Sequence, residues 1–127
     1  MFSTTIVVSN DMKDEENRIL NEFLSAYSSG TRHFKNWDFE ENNSVQELDL
    51  SDVFFEDCFL FLDFRNTKLT KSKFIRCNLK TADFRGADLT NGMIKNCSVE
   101  STMFKGAKIS NLIFEENLQM DFQIQTD

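Results

Sequence analysis

The residues able to do acid–base, nucleophilic or metal chemistry are few, and their spacing does not suit it. His33 is the sole histidine. It stands beside Phe34 and reads as a surface or packing residue, because a general base needs a positioned nucleophile or acid beside it. Cys58, Cys77 and Cys97 are spaced by 19 and 20 residues, unlike the closely paired thiolates of a zinc site. Their number is odd, so they read as free thiols filling small core positions. Asp63, Asp83 and Asp88 could form a carboxylate cluster, but Arg65 and Arg85 follow the first two at a distance of two residues. An ion-paired ladder fits better, since like charges stacked across strands repel. Gly30, Gly86, Gly92 and Gly106 are scattered and build no phosphate-cradling loop. No catalytic residue, cofactor site or metal site is expected, and the chain does not read as an enzyme.

What must position these residues is a repeat of five. From Leu62 to Glu116, every fifth residue is large and apolar: Phe64, Leu69, Phe74, Leu79, Phe84, Leu89, Ile94, Val99, Phe104, Ile109 and Phe114. Two positions before them come smaller residues: Thr67, Ser72, Cys77, Ala82, Ala87, Gly92, Cys97, Thr102 and Ala107. Residues two apart in an extended chain point to the same side. Each block therefore sends one large and one small side chain inward, with polar residues such as Asp83, Arg85, Asp88 and Thr90 outward. A period of five matches neither a helix nor a long strand. It fits short extended pieces separated by corners, wound into a solenoid.

Blocks such as Ala82-Asp83-Phe84-Arg85-Gly86 and Ala87-Asp88-Leu89-Thr90-Asn91 resemble the pentapeptide-repeat family, with its consensus Ala-(Asp/Asn)-Leu-X-X. The resemblance implies an all-β solenoid, a right-handed quadrilateral parallel β-helix with four blocks per coil. Taking Cys58 to Phe61 as a four-residue block extends the register back through Val53–Asp57 and Leu48–Asp52. Asn43–Glu47 and Trp37–Glu41 become degenerate blocks, with Asn42 inserted. Cys58, Cys77 and Cys97 then form one ladder, and Val45, Phe64, Phe84 and Phe104 another. The expected organisation is an N-terminal segment over 1–36, about four coils over 37–116 and a tail over 117–127.

In the N-terminal segment, a helix is expected over about residues 11–28. Asn10 or Asp11 would cap it, Asp14, Glu15 and Glu16 suit its positive end, and Gly30 would end it. Ile19, Leu20, Phe23, Leu24 and Tyr27 form an apolar stripe at helical spacing. Its expected task is to cover the open end of the column, the alternative being to bind a partner. Thr4 to Ser9 reads as an additional strand. In the tail, Leu118, Met120, Phe122 and Ile124 alternate with polar residues, so the tail either folds over the last coil or makes a dimer contact. The resemblance favours a homodimer through the C-terminal end.

The net charge is −7, but Leu48–Glu116 carries ten acidic and ten basic residues. The resemblance brings one specific function, imitation of duplex DNA to bind and protect the type II topoisomerase gyrase. An imitator needs its acid along the rod, where this chain is balanced. An acidic chain with no basic stripe is also expected not to bind nucleic acid directly. No membrane-spanning run and no signal-peptide pattern is evident, so a cytoplasmic location is the default. The informative outward residues are apolar: Phe54, Ile75, Met93 and Ile113 on one face, and Phe59 and Phe61 in the shortened block. Two readings stay open for these, cover by the N-terminal segment or a protein-binding face with Met93 and Ile113 as anchors. The function expected is a rigid, noncatalytic protein-interaction module whose partner is another protein.

Overall fold

In the computed structural model, residues 17–118 and 124–127 are described, without the side chains of 41 and 42. Helix α1 (Arg18–Ser28) is followed by β1 (His33–Lys35), β2 (Asp38–Ser44), β3 (Phe54–Glu56), β4 (Phe59–Asp63), β5 (Lys73–Ile75), β6 (Met93–Lys95) and β7 (Ile113–Glu115). The strands β1-β3-β5-β6-β7 form one parallel sheet, and β2 pairs with β4 in a second. Isolated parallel bridges join the remaining sides, for example Asp49–Lys68–Asp88–Lys108 and Asp63–Asp83–Met103. Among the described residues the chain is a parallel β-solenoid of about four turns preceded by one short helix.

The corners explain the period. Among the described residues thirteen other than glycine have positive φ, and from Asn66 to Glu116 one occurs every fifth residue, with Gly86 and Gly106 taking their turns. A left-handed residue after each short extended piece swings the chain through a corner. For residues other than glycine this costs roughly 1 kcal/mol or more. The ladder offsets that cost: at Lys71, Thr81 and Asn91 the corner N–H donates to Thr90 O, Glu100 O and Ser110 O of the next coil, at 2.9, 3.0 and 2.8 Å.

Between Asp57 and Asn66 no corner is present. There β4 runs straight, with Leu60 and Leu62 inward and Phe59, Phe61 and Asp63 outward. Phe61 alone stands where a regular block has the two-residue turn Lys80-Thr81. The register records the missing residue: Phe59 pairs with Asn78 (78 − 59 = 19), but Asp63 pairs with Asp83 (83 − 63 = 20). Opposite it, β2 carries the insertion as a register shift between Phe39 and Asn43.

The core is a column of stacked rings and aliphatic side chains. Phe64, Phe84 and Phe104 lie face to face, at 4.6 and 5.3 Å between centroids with planes 2° and 4° apart. Phe74 meets Phe64 and Phe84 edge-on. Leu69, Leu79, Leu89, Ile94 and Val99 are fully buried. Ile109 and Phe114, in the last coil, are only half-buried. Such columns gain both from apolar burial and from ring stacking.

Small inward positions are tied to the coil below. Thr67 Oγ1 donates to Val45 O at 2.9 Å, and Thr102 Oγ1 to Leu79 O at 2.7 Å. The Cys58, Cys77 and Cys97 thiols do the same toward Phe34 O, Phe55 O and Phe74 O. Ser72 is the exception, the one buried side-chain polar atom among the described residues without a partner. Leaving a buried hydroxyl unsatisfied costs on the order of 1 kcal/mol or more. Ser72→Ala, the residue found at the equivalent positions 82, 87 and 107, is therefore expected to raise stability by about 1 kcal/mol, read from urea unfolding midpoints. A loss of stability would show that Ser72 is satisfied in solution.

The N-terminal end is closed by α1. Phe23 is fully buried, 4.6 Å from Phe34 edge-on and 5.4 Å from Phe55 in a stacked arrangement. The helix ends in a Schellman motif, with Thr31 N–H donating to Ala26 O and Gly30 N–H to Tyr27 O, both at 3.0 Å. Gly30 has φ +109°, which demands glycine. The chain then enters the column at β1, before the expected boundary at Trp37. Phe34 sits inward directly below Phe55, so His33–Lys35 belongs to the first coil. The expected helix start over 11–16 and the Thr4–Ser9 strand lie outside the described residues, as do Met120 and Phe122.

At the other end Leu118 bridges to Ser98. The tail returns over the last coil, where Gly106 N–H donates to Thr126 O and Ile124 packs against the core.

Candidate interaction surface

The five-stranded sheet presents two outward rows, one on each side of the inward Phe34–Phe55–Phe74–Ile94–Phe114 stack. The first row is His33, Phe54, Lys73, Met93 and Ile113. The second is Lys35, Glu56, Ile75, Lys95 and Glu115. Pleating sets this arrangement, since residues flanking an inward one both face outward.

The six apolar outward residues do not form one patch. Phe54 is sandwiched: the His33 ring stacks on it at 4.3 Å and 7°, and Lys73 Nζ lies 5.7 Å from its centroid. Ile75 belongs to the second row, between Glu56 and Lys95. Phe59 and Phe61 are half-buried on β4, around a corner from this sheet. Met93 and Ile113 are direct register neighbours, and Ile113 is 41% exposed. The structure thus brings together Met93 and Ile113 and separates Phe54, Ile75, Phe59 and Phe61 from them.

Charged groups frame this sheet. His33 Nε2 lies 2.8 Å from Glu56 Oε1, and Arg76 bonds both Glu56 and Asp57. The His33 hydrogen bond, followed by that from Arg76, holds the Glu56 carboxyl below its ordinary value. Arg76 does the same for Asp57. On another face Arg65 grips Asp63 through Nε (3.0 Å) and Nη2 (2.8 Å), and Arg85 grips Asp83 through Nε (2.9 Å) and Nη2 (2.7 Å). Burial raises the Asp83 carboxyl most of any single cause, but the side-chain bond, backbone bond and charge of Arg85 together outweigh it, and the carboxyl sits below its ordinary range.

The chemistry-bearing side chains are occupied in the architecture. The neighbouring Cys58 and Cys97 thiols, and then burial, push the Cys77 thiol up and away from the thiolate that nucleophilic or metal chemistry needs. Among the described residues no group of His, Cys, Asp or Glu side chains is placed to hold a metal ion. No helix among them is long and apolar enough to cross a membrane.

One family model, described as pentapeptide repeats (8 copies), matches residues 63–100. The chain carries pentapeptide repeats over these residues. A pentapeptide-repeat protein, Rfr23 from the cyanobacterium Cyanothece 51142, shares its fold with a TM-score of 0.54 and 12% identity over 77% of this chain and 93% of that one. A trypsin-treated form of QnrB1, a plasmid-mediated fluoroquinolone resistance protein, aligns with a TM-score of 0.53 and 18% identity over 67% of this chain. The alignment spans 52% of QnrB1, about half its length. At these identities the likeness is one of fold. No curated protein matches the sequence.

The pentapeptide repeats recognised by the family model begin at Asp63, whereas the coils begin thirty residues earlier, at His33. Sequence reasoning missed β1. A signal was present: Phe34 precedes Phe55 by 21 residues, one coil with its insertion.

Proposed function

We propose that this protein is a noncatalytic, rigid protein-interaction module, and that Met93 and Ile113 anchor its partner. The observation that carries this reading is their adjacency in one sheet, with Ile113 exposed, Met93 half-buried and Lys73, Lys95 and Glu115 around them. Exposed apolar neighbours ringed by charge are the usual composition of a contact site. Noncatalytic character is supported by the fate of the reactive groups, with the thiols bonded inside the column and His33 held against Phe54 and Glu56. The half-buried Phe114 and the 69% exposed Leu118 make the C-terminal end a second contact region, suited to a homodimer.

The competing reading, imitation of DNA to engage gyrase, asks for uncompensated acid along the rod. Asp63 and Asp83 are instead each gripped by an arginine, and Asp49, Lys68, Asp88 and Lys108 alternate in sign along another face. The test is affinity capture from the native host's lysate with wild type and with a Met93→Lys/Ile113→Lys double variant. A protein retained by wild type and lost by the folded double variant is the expected result. Gyrase subunits retained by both would replace this reading with the competing one. Equal recovery of every other protein would remove the face.

A further inference from the structure

The acid–cation ladder breaks at its top rung. Along one side of the column Asp63, Asp83 and Met103 are bridged in sequence, each followed two residues later by a cation, Arg65, Arg85 and Lys105. In the first two rungs the carboxylate does two things. It accepts from the guanidinium, and its Oδ1 accepts the backbone N–H of the arginine at 3.1 Å. In the third rung the cation remains and the acid is replaced by Met103, which is 39% exposed. Among the described residues, neither the Lys105 ammonium nor the Lys105 backbone N–H has an acceptor. Beside them lies a cavity of about 340 Å³, walled by Arg85, Thr102, Met103, Phe104, Gln125 and Asp127.

We propose that this cavity takes a carboxylate side chain of a partner protein, which completes the third rung. The incoming oxygen accepts from Lys105 N–H and pairs with Lys105 Nζ, as Asp63 and Asp83 do within the chain, while an apolar neighbour of the acid packs on Met103. The position lies on a different face from Met93 and Ile113, so it stands or falls independently of them. Charge-assisted pairing to a backbone N–H and a cation together is stronger than either alone.

The test is fluorescence anisotropy with a fluorescein-labelled decapeptide of alternating glutamate and leucine, titrated with the full chain. Saturable binding is expected, weakened about tenfold or more, ~1.4 kcal/mol, by Lys105→Glu and by Met103→Asp. Met103→Asp supplies the missing carboxylate in cis, so it is expected to melt at or above the wild-type temperature while losing the peptide. Absence of saturable binding, equal affinity for the glutamine-for-glutamate peptide, or undiminished binding by Met103→Asp would overturn the site. Displacement of the peptide by glutarate at concentrations equal to the peptide's own Kd would overturn the protein-partner assignment, leaving a site for small free carboxylates.

Discussion

Phe84→Asp is expected to leave the chain without a cooperative β-rich fold. Phe84 lies at the middle of the ring stack, fully buried, parallel to Phe64 and Phe104 and edge-on to Phe74. Removing the ring alone costs about 3–5 kcal/mol. Adding a carboxylate with no cation inside the column costs several kcal/mol more. Together these approach the whole stability of a small domain, roughly 5–15 kcal/mol. In a solenoid each coil is supported only by its neighbours, so a lost central coil leaves two fragments, each with an open end. Far-ultraviolet circular dichroism with urea titration reads the outcome, and Phe84→Leu, the residue at the equivalent positions 69, 79 and 89, serves as the apolar control. A cooperative transition in Phe84→Asp would mean that residue 84 does not face the core.

Phe23→Ala is the second large effect, expected to cost about 3–5 kcal/mol from outside the repeats. Phe23 is the plug of the column: its ring contacts Phe34, Phe39, Phe55 and Trp37. Without it the first coil exposes an apolar end that nothing in the repeat pattern covers. Hydrogen exchange separates this from a general weakening. Amides of β1 and β3 should lose protection before those of β6 and β7, since a repeat array opens from its weakened end. Uniform loss across all five strands would show that the cap stabilises the column as one unit rather than guarding its end.

The surface depends on details that a fivefold count does not contain. Phe54, Ile75, Met93 and Ile113 share a face in sequence, yet only Met93 and Ile113 are neighbours. Rows are set by coil register, and Ile75, following its inward Phe74, falls among Glu56 and Lys95. Phe54 was legible as apolar and outward, but His33 was not legible as its cover, because β1 lies where the count is broken by insertion. The top-rung gap at Met103 is legible in the Asp-x-Arg spacing of the two rungs before it. Its meaning required the cavity and the unsatisfied Lys105 N–H.

The sequence by itself determined the solenoid, the inward ladder and the place of the shortened block, because each coil repeats the same local decision every five residues. Periodic burial is a local property, and a chain written in blocks displays it. Tertiary structure alone decided where the column begins, how its ends are closed and which outward residues meet. Those outcomes depend on contacts about twenty residues apart between coils, and on Phe23 reaching the first coil from a helix outside the repeat. It also decided the corner geometry. Lys71, Arg76 and Thr81 adopt positive φ against their own preference, since the hydrogen bonds between coils outweigh it.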